Sequence, residues 1–468
     1  MTPARALLLL LGWLLLASAA CGPGDDAPPR PIRPPNVVLV TFDTVRVDHL
    51  STYGYTRRTS PNLTELAAVG DRFTAAQSTA PWTVPSHASI FTGRYTFQHG
   101  AEASDKAPEW ATQNAVGLAE SFETLAEVFS ASGYRTCGVV ANEVFLAPRF
   151  GFAQGFGTYV AKRQPAKQVN QVAFEFLDQP SDAPFFLFVN YMDAHRPYRT
   201  TPIDDAVSRG LPQPDPEPAG ELLDRYIEAV MAKTGEDVDA LRERVISQYD
   251  HGVAHDDLAL GALVAKLKQL GKFDDTLIVV TSDHGEYFGE HELVEHNKDV
   301  YQEALRVPLV VKRPGQKRGR VLDVPVCHAE LARLIASALT VEQENELAKR
   351  FPYAPGAPLR LAELWLSRPN ELKASWGERF KRKRAALYLE RWKYIRSTDG
   401  KHELYDLEAD PREKRNLIAE KPELARTLEE RLSRFEADSR AGPEQAAPVE
   451  VSAEELETLR ALGYADGK

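Results

Sequence analysis

Three segments that lie far apart in the chain carry side chains able to activate a hydroxyl group. Thr83 lies just ahead of a helix start that the sequence predicts at Ser86. Asp43 follows one run of β-branched residues, and Asp283 and His284 follow another. Two carboxylates and an imidazole suit one divalent cation such as Ca²⁺, Mn²⁺ or Zn²⁺. A cation touching the Thr83 oxygen would lower its pKa and favour attack on sulfur or phosphorus.

Histidines and basic residues form a second group of candidates. At neutral pH, imidazoles act as general acids or donate to anionic oxygens, and His195 and His296 are predicted to do so. His296 is predicted to contact the leaving group; ligation of a second metal together with His291, or simple exposure, are its alternatives. Lys298 and Arg46 are predicted to bind a tetrahedral anion, with ion pairs to neighbouring acids as the alternative.

The start of the predicted helix also suits an anion. Pro85 fixes the turn, and the backbone N–H groups of the first helical residues would point towards negative charge. Ser86 is a rival nucleophile to Thr83, although a place at the helix start explains it better.

The elements that must position these residues recur along the chain. Amphipathic stretches such as 121–132 and 256–270 alternate with apolar runs at 37–42, 137–141, 185–189, 277–281 and 307–311. This alternation predicts an α/β fold with a mainly parallel sheet flanked by helices. Ligands bind beyond the carboxyl ends of such strands, where Asp43, His195 and Asp283 are predicted to lie.

The N-terminal region has the features of an export signal. Residues 1–20 combine Arg5, a short apolar stretch and small residues before Cys21. We expect acylation of Cys21, with ordinary cleavage after Ala19 as the alternative. Residues 21–35 are rich in proline and predict an extended tether. The chain is therefore expected to be an exported, periplasmic or cell-surface lipoprotein that meets a membrane only through its N-terminal lipid.

The remaining chain divides into two predicted parts. Residues 36–340 form the predicted catalytic domain, in which the charged, Pro-rich residues 198–245 are an insertion with helices at 222–233 and 238–247. Residues 341–468 form a C-terminal subdomain with a helical tail. In it, residues 385–396 are predicted as one strand and a second begins within 400–407. A net charge of −11 argues against nucleic acid as a partner.

Several motifs, in order and with sensible spacing, resemble those of the sulfatase family within the alkaline-phosphatase-like superfamily. They are Asp43-Thr-Val-Arg-Val-Asp-His-Leu50, Pro85-Ser-His-Ala-Ser-Ile-Phe-Thr-Gly-Arg94, Asp193-Ala-His-Arg-Pro-Tyr198, Thr281-Ser-Asp-His-Gly-Glu286 and Glu403-Leu-Tyr-Asp-Leu-Glu-Ala-Asp-Pro411. The resemblance implies the sulfatase fold, with a smaller C-terminal α+β subdomain.

The resemblance also implies roles for individual residues. Asp43, Asp283 and His284 match metal ligands, and Thr44 stands where many members have a further aspartate ligand. His195 matches a contact to the ester or leaving group. Thr83 occupies the nucleophile position.

Two positions depart from the sulfatase pattern. The family's motif begins with Cys or Ser, which is oxidised to formylglycine, and has Arg four residues later. Here these positions hold Thr83 and His87, and His87 is a further candidate site residue. Oxidation of a threonine side chain would give a ketone, so formylglycine chemistry is not expected.

The sequence therefore predicts a metal-dependent hydrolase of sulfate or phosphate esters that uses an unmodified threonine. Its substrate would be a sulfated or phosphorylated small molecule, glycan or lipid. Other superfamily members use threonine on phosphorus, including nucleotide phosphodiesterases and lipid A phosphoethanolamine transferases. A phosphodiesterase or phosphotransferase is thus one alternative. A catalytically degenerate protein that binds sulfated or phosphorylated glycans is another.

Overall fold

The computed structural model describes residues 34–103, 115–199, 201–206, 209–338, 349–365 and 378–439. The predicted export signal, most of the tether and the end of the C-terminal tail lie outside these ranges. Within them, no helix combines the length and the apolar character that a membrane span requires.

The described residues form sixteen strands and ten α-helices. The strands are β1 (Asn36–Phe42), β2 (Asp71–Phe73), β3 (Ala76–Gln77), β4 (Arg135–Val140), β5 (Thr158–Ala161), β6 (Phe185–Tyr191), β7 (Thr276–Ser282), β8 (Tyr287–Phe288), β9 (Val294–Glu295), β10 (Leu309–Lys312), β11 (Arg320–Leu322), β12 (Val326–Cys327), β13 (Leu359–Leu364), β14 (Arg384–Leu389), β15 (Trp392–Ser397) and β16 (Glu403–Asp406). The helices are α1 (Pro61–Ala67), α2 (Thr83–Thr92), α3 (Thr96–His99), α4 (Leu125–Ala131), α5 (Ala166–Asp178), α6 (Ala219–Met231), α7 (Val238–Gln269), α8 (Gln302–Leu305), α9 (His328–Ala336) and α10 (Pro422–Asp438).

An eight-stranded sheet with the order β11-β2-β10-β7-β1-β6-β4-β5 is the centre of the molecule. β1 pairs in parallel with both β6 and β7, and β4 pairs in parallel with β5 and β6. β10 runs antiparallel to its neighbours β2 and β7. The five predicted strands are confirmed as β1, β4, β6, β7 and β10, and the predicted α/β class with a mainly parallel sheet is confirmed.

Burial explains why those strands were visible in the sequence. Every residue of β6 and β7 is buried, as is every residue of β1 after Asn36. A strand covered on both faces has no polar side to alternate with its apolar side, so it forms a continuous run of Val, Ile, Leu and Phe. Cys137 in β4 is a buried free thiol, and Cys327 is also free and buried.

One long helix replaces two predicted ones. α7 is continuous over 32 residues, so the predicted helices at 238–247 and 256–270 are parts of the same element. The predicted boundary of the insertion at residue 245 therefore falls inside a helix. The intervening turns bury the polar side chains of Gln248, Asp250 and His251, which hid the apolar periodicity.

The C-terminal sheet is antiparallel, with the order β13-β14-β15-β16. The prediction of one strand over 385–396 is wrong, because these residues form the hairpin of β14 and β15. Its turn holds Glu390 in a left-handed conformation with φ of 53°. The turn contains neither Gly nor Asn, the residues that usually reveal such a hairpin.

Candidate functional site

The parallel register of the central strands brings the predicted residues to one edge of the sheet. Phe42 at the end of β1 pairs with Ser282 of β7 and with Tyr191 of β6. Asp43 directly follows β1, Asp283 directly follows β7, and His195 lies four residues after the end of β6. The carboxyl ends of these strands therefore carry the candidate site, as expected for an open α/β sheet.

Asp43, Asp283 and His284 form a compact buried cluster. One ligand atom from each of them lies within 4.8 Å of the others, and all three side chains are buried. The Nδ1 of His284 lies 2.9 Å from the carbonyl oxygen of Gly285. Because a carbonyl only accepts, Nδ1 carries the proton and Nε2 presents its lone pair, as a metal ligand requires.

Three oxygen atoms in and beside this cluster have no hydrogen-bond partner among the described residues. They are Asp43 Oδ1, Asp283 Oδ2 and the Thr44 hydroxyl, and all three are buried. Burial, and then the neighbouring Asp283, raises the pKa of Asp43 to about 7, and burial likewise raises the pKa of Asp283 to about 7. Two adjoining carboxylates with an unsatisfied oxygen fit a divalent cation, because a cation would offset both their repulsion and their desolvation.

The backbone around Thr44 is arranged for these carboxylates. The Thr44 N–H donates to Asp283 Oδ1 over 3.1 Å, and the His284 N–H donates to the same atom over 2.8 Å. Thr44 has φ of 63°, which is strained for a β-branched residue. Its carbonyl accepts from the buried hydroxyl of Tyr249, 2.8 Å away, which holds this turn in place.

Thr83 lies next to the cluster. It is the first residue of α2, so the helix begins three residues before the predicted start at Ser86. The Nδ2 of Asn142 lies 2.9 Å from Asp43 Oδ2 and 3.5 Å from Thr83 Oγ1. Asn142 thus bridges the candidate metal site and the candidate nucleophile. Asn142 was not among the predicted site residues, although a polar residue directly after an apolar strand is a usable signal.

His195 and His296 extend the cluster. The ring centroid of His296 lies 4.6 Å from that of His284 and 5.2 Å from that of His195. The Nδ1 of His296 lies 2.9 Å from a carboxyl oxygen of Glu286, for which the sequence analysis gave no individual role. His195 Nδ1 donates to the carbonyl of Arg196 over 2.7 Å, so its Nε2 is the acceptor nitrogen.

His87 contacts the backbone of the candidate nucleophile. Its Nδ1 donates to the Thr83 carbonyl over 2.9 Å, and its Nε2 accepts from the Thr41 hydroxyl over 3.1 Å. Burial lowers the pKa of His87 to about 3, so the ring is neutral. Ser86 donates to the carbonyl of Asp283 over 2.7 Å, which ties α2 to the end of β7.

The two predicted cations lie in ion pairs. Lys298 is buried and donates to Glu295 over 3.2 Å. Arg46 contacts Asp48 and Glu290 and lines a separate cavity of about 540 Å³, whose lining does not include Thr83, His195 or His284. The predicted alternative for Arg46, ion pairs with nearby acids, is therefore what the structure contains, through Asp48 and Glu290. Among the described residues, no hydrogen bond joins Arg46 to Thr83.

A protein-family model described as Sulfatase matches residues 35–341. The chain belongs to the sulfatase family. Among curated proteins, this sulfatase is 24% identical over 478 residues to an ulvan-active sulfatase of Formosa agariphila, which covers 92% of this chain and 86% of that one. It is also 24% identical over 384 residues to the uncharacterized sulfatase YidJ of Escherichia coli, covering 68% and 71% of the two chains.

Solved structures show the same fold. The phosphonate monoester hydrolase of Agrobacterium radiobacter aligns with a TM-score of 0.65 and 20% identity over 86% of this chain and 96% of that one. BT4656, solved with its substrate D-glucosamine-2-N,6-O-disulfate, aligns with a TM-score of 0.66 and 17% identity over 90% and 100% of the two chains. The predicted sulfatase fold with a small C-terminal sheet is thereby confirmed.

Proposed function

We propose that this sulfatase-family protein hydrolyses a sulfate ester with the unmodified Thr83 hydroxyl as its nucleophile. The observation that carries the proposal is the bridge through Asn142, which places Thr83 beside the Asp43 carboxylate. Thr83 bears a methyl group on Cβ, so its oxidation would give a ketone instead of the formylglycine aldehyde. The nucleophile must then be the hydroxyl itself.

A divalent cation is part of this proposal. Asp43, Asp283 and His284 would hold it, with Thr44 as a neighbouring oxygen ligand. A bound cation would supply positive charge that lowers the pKa of a nearby hydroxyl and stabilises negative charge that develops on the ester oxygens. The donor set of oxygen and imidazole suits Ca²⁺, Mn²⁺ or Zn²⁺.

The chain's own residues account for the proton transfers. Thr83 Oγ1 forms a bond to sulfur as the bond between sulfur and the leaving oxygen breaks, and the hydroxyl proton of Thr83 passes to the neighbouring Asp283 carboxylate. His296, in its protonated form, gives the leaving oxygen a proton, and Asp283 returns its proton to Thr83 Oγ1 when the threonine ester is hydrolysed. Glu286 holds His296 through Nδ1 and thereby fixes the ring orientation. Water then attacks the threonine ester, and His195 accepts the water's proton on Nε2.

The relatives favour a sulfated glycan as the substrate class. The compared proteins include an ulvan-active sulfatase, a protein solved with its substrate D-glucosamine-2-N,6-O-disulfate and a 2-O GAG sulfatase. A phosphate ester is the second candidate, because an unmodified threonine attacks phosphorus as well as sulfur.

We further propose that Cys21 is acylated after export, and the mass of the mature N-terminus tests this.

The test combines a substrate panel with variants of the nucleophile. Wild type, Thr83→Ser and Thr83→Ala are assayed on aryl sulfate, aryl phosphate and aryl phosphodiester, after chelation and again after addition of Ca²⁺, Mn²⁺ or Zn²⁺. We expect cation-dependent turnover of aryl sulfate that Thr83→Ala abolishes and Thr83→Ser retains in part. Mass analysis of the peptide that contains Thr83 should show no modification. Turnover confined to the phosphate esters would reject sulfate as the substrate, and full activity of Thr83→Ala would reject the nucleophile.

A further inference from the structure

The side chain of Asn297 is buried and has no hydrogen-bond partner among the residues that the structure describes. It has no exposed surface, and neither its Nδ2 nor its Oδ1 forms a hydrogen bond within the part of the chain that the structure describes. Buried amide groups are nearly always hydrogen-bonded, because a buried donor or acceptor left unpaired loses its interaction with water. Both polar atoms of one side chain are left unpaired here, which points to a ligand that would pair with them.

The backbone of Asn297 is fixed between the two sides of the proposed active site. Its N–H donates to the carbonyl of Pro81 over 3.0 Å, two residues before Thr83. The preceding residue is His296, whose ring lies 4.6 Å from that of His284. Asn297 is therefore tied on one side to the segment of the nucleophile and on the other to the histidine cluster.

The backbone conformation of Asn297 would also suit a glycine, so the turn itself does not require an amide side chain. Asn297 has φ of 59°, in the left-handed region where glycine is the residue of lowest cost. A glycine would satisfy the turn and would remove the two unpaired amide atoms. Because asparagine also adopts this conformation readily, the observation that points to a ligand is the pair of unpaired buried amide atoms.

We propose that Asn297 is a substrate-binding residue whose Nδ2 donates hydrogen bonds to the anionic oxygens of the ester. Its Oδ1 then accepts from a hydroxyl group of the same substrate, as a glycan would provide. An amide suits this role, because it donates to an anion without carrying a charge that needs its own counter-ion. This assignment rests on the proposed function, since it takes the ester of that reaction as its ligand.

The decisive variant is Asn297→Gly. Because glycine accepts a positive φ, this variant should fold and should unfold at a temperature equal to or above that of the wild type. We expect kcat/KM to fall by about 10- to 100-fold, the range for loss of a hydrogen bond to a charged group. Asn297→Asp keeps the shape but adds negative charge, and it should lose more. Activity of Asn297→Gly within about threefold of the wild type would overturn the assignment.

A matched control separates the backbone effect from the amide effect. Glu390 in the turn of the C-terminal hairpin also has a left-handed φ, of 53°, and its side chain is exposed. Glu390→Gly makes the same backbone change far along the chain from the site and should leave kcat/KM unchanged. An equal loss of activity in Glu390→Gly and Asn297→Gly would assign the effect to backbone flexibility and overturn the proposal.

Equilibrium binding distinguishes this proposal from the assignment of the nucleophile. Inorganic sulfate and inorganic phosphate are titrated calorimetrically into metal-loaded Thr83→Ala, with and without Asn297→Gly. We expect Asn297→Gly to weaken binding of one of these anions by about tenfold, whatever the outcome of the Thr83 assays. An unchanged affinity, or no measurable affinity in either protein, would overturn the role of Asn297 and leave that of Thr83 to its own test.

Discussion

The buried carboxyl of Glu102 should make the stability of this protein depend on pH. Glu102 accepts from the indole N–H of Trp82 over 2.7 Å and from the backbone N–H of Ala103 over 3.0 Å. Its second oxygen has no hydrogen-bond partner among the described residues. Burial raises the pKa of Glu102 from 4.5 to about 8, against the opposing effect of these two donors. The change to test is Glu102→Gln, which keeps an acceptor for Trp82.

The sign and size of the effect follow from proton linkage. The folded state holds the proton up to about pH 8, whereas the unfolded chain releases it near its ordinary pKa of 4.5. The folded state therefore binds more protons between these values, and the free energy of unfolding falls as the pH rises. At about 1.4 kcal/mol per pH unit, Glu102 should remove on the order of 3 kcal/mol of stability between pH 5 and pH 8.

Chemical denaturation of wild type and Glu102→Gln at several pH values between 5 and 8 measures this contribution. Other groups titrate in both proteins, so the difference between the two curves is the relevant quantity. We expect Glu102→Gln to gain stability relative to the wild type as the pH rises. Curves that stay parallel over the whole range would refute the argument, because they would show that Glu102 ionises in the folded state as it does in the unfolded chain.

Three further predictions concern the site. Gly285→Ala would place a Cβ 2.0 Å from the Glu303 carbonyl oxygen, so we expect it to lower the free energy of unfolding by about 1–3 kcal/mol. Elemental analysis should also show less bound metal. The control Gly220→Ala, which has open space around its Cβ, should not destabilise the protein. Asp43→Asn removes the repulsion with Asp283, so the metal-free variant should unfold at a higher temperature than the metal-free wild type. Added Mn²⁺ or Ca²⁺ should no longer raise its unfolding temperature. If these cations still raise it, the cation binds elsewhere. His296→Ala should slow turnover by about 10²- to 10⁴-fold for esters with poor leaving groups and much less for 4-nitrophenyl esters, and equal losses for both would exclude a general acid.

Much of the fold was predictable because its strongest signals are local. β1, β6 and β7 are buried on both faces, so each forms an apolar run that is distinct from its surroundings. Asp43 and Asp283 follow such runs directly, which made them visible as candidate ligands. α7 and the hairpin of β14 and β15 were missed because their local signals are weak. Buried polar side chains interrupt the apolar pattern of α7, and the hairpin turn lacks glycine.

The residue pattern alone predicted the α/β class and put the candidate ligands Asp43 and Asp283 directly after apolar strands. These features depend on residue type and on position relative to a strand, which the sequence states directly. Only the tertiary structure decided which polar groups meet. Asn142 bridges Asp43 and Thr83, Arg46 is held by acids beside a separate cavity, and the buried side chain of Asn297 finds no hydrogen-bond partner among the described residues. Such contacts join residues far apart in the chain, and their geometry is set by the packing of the whole domain.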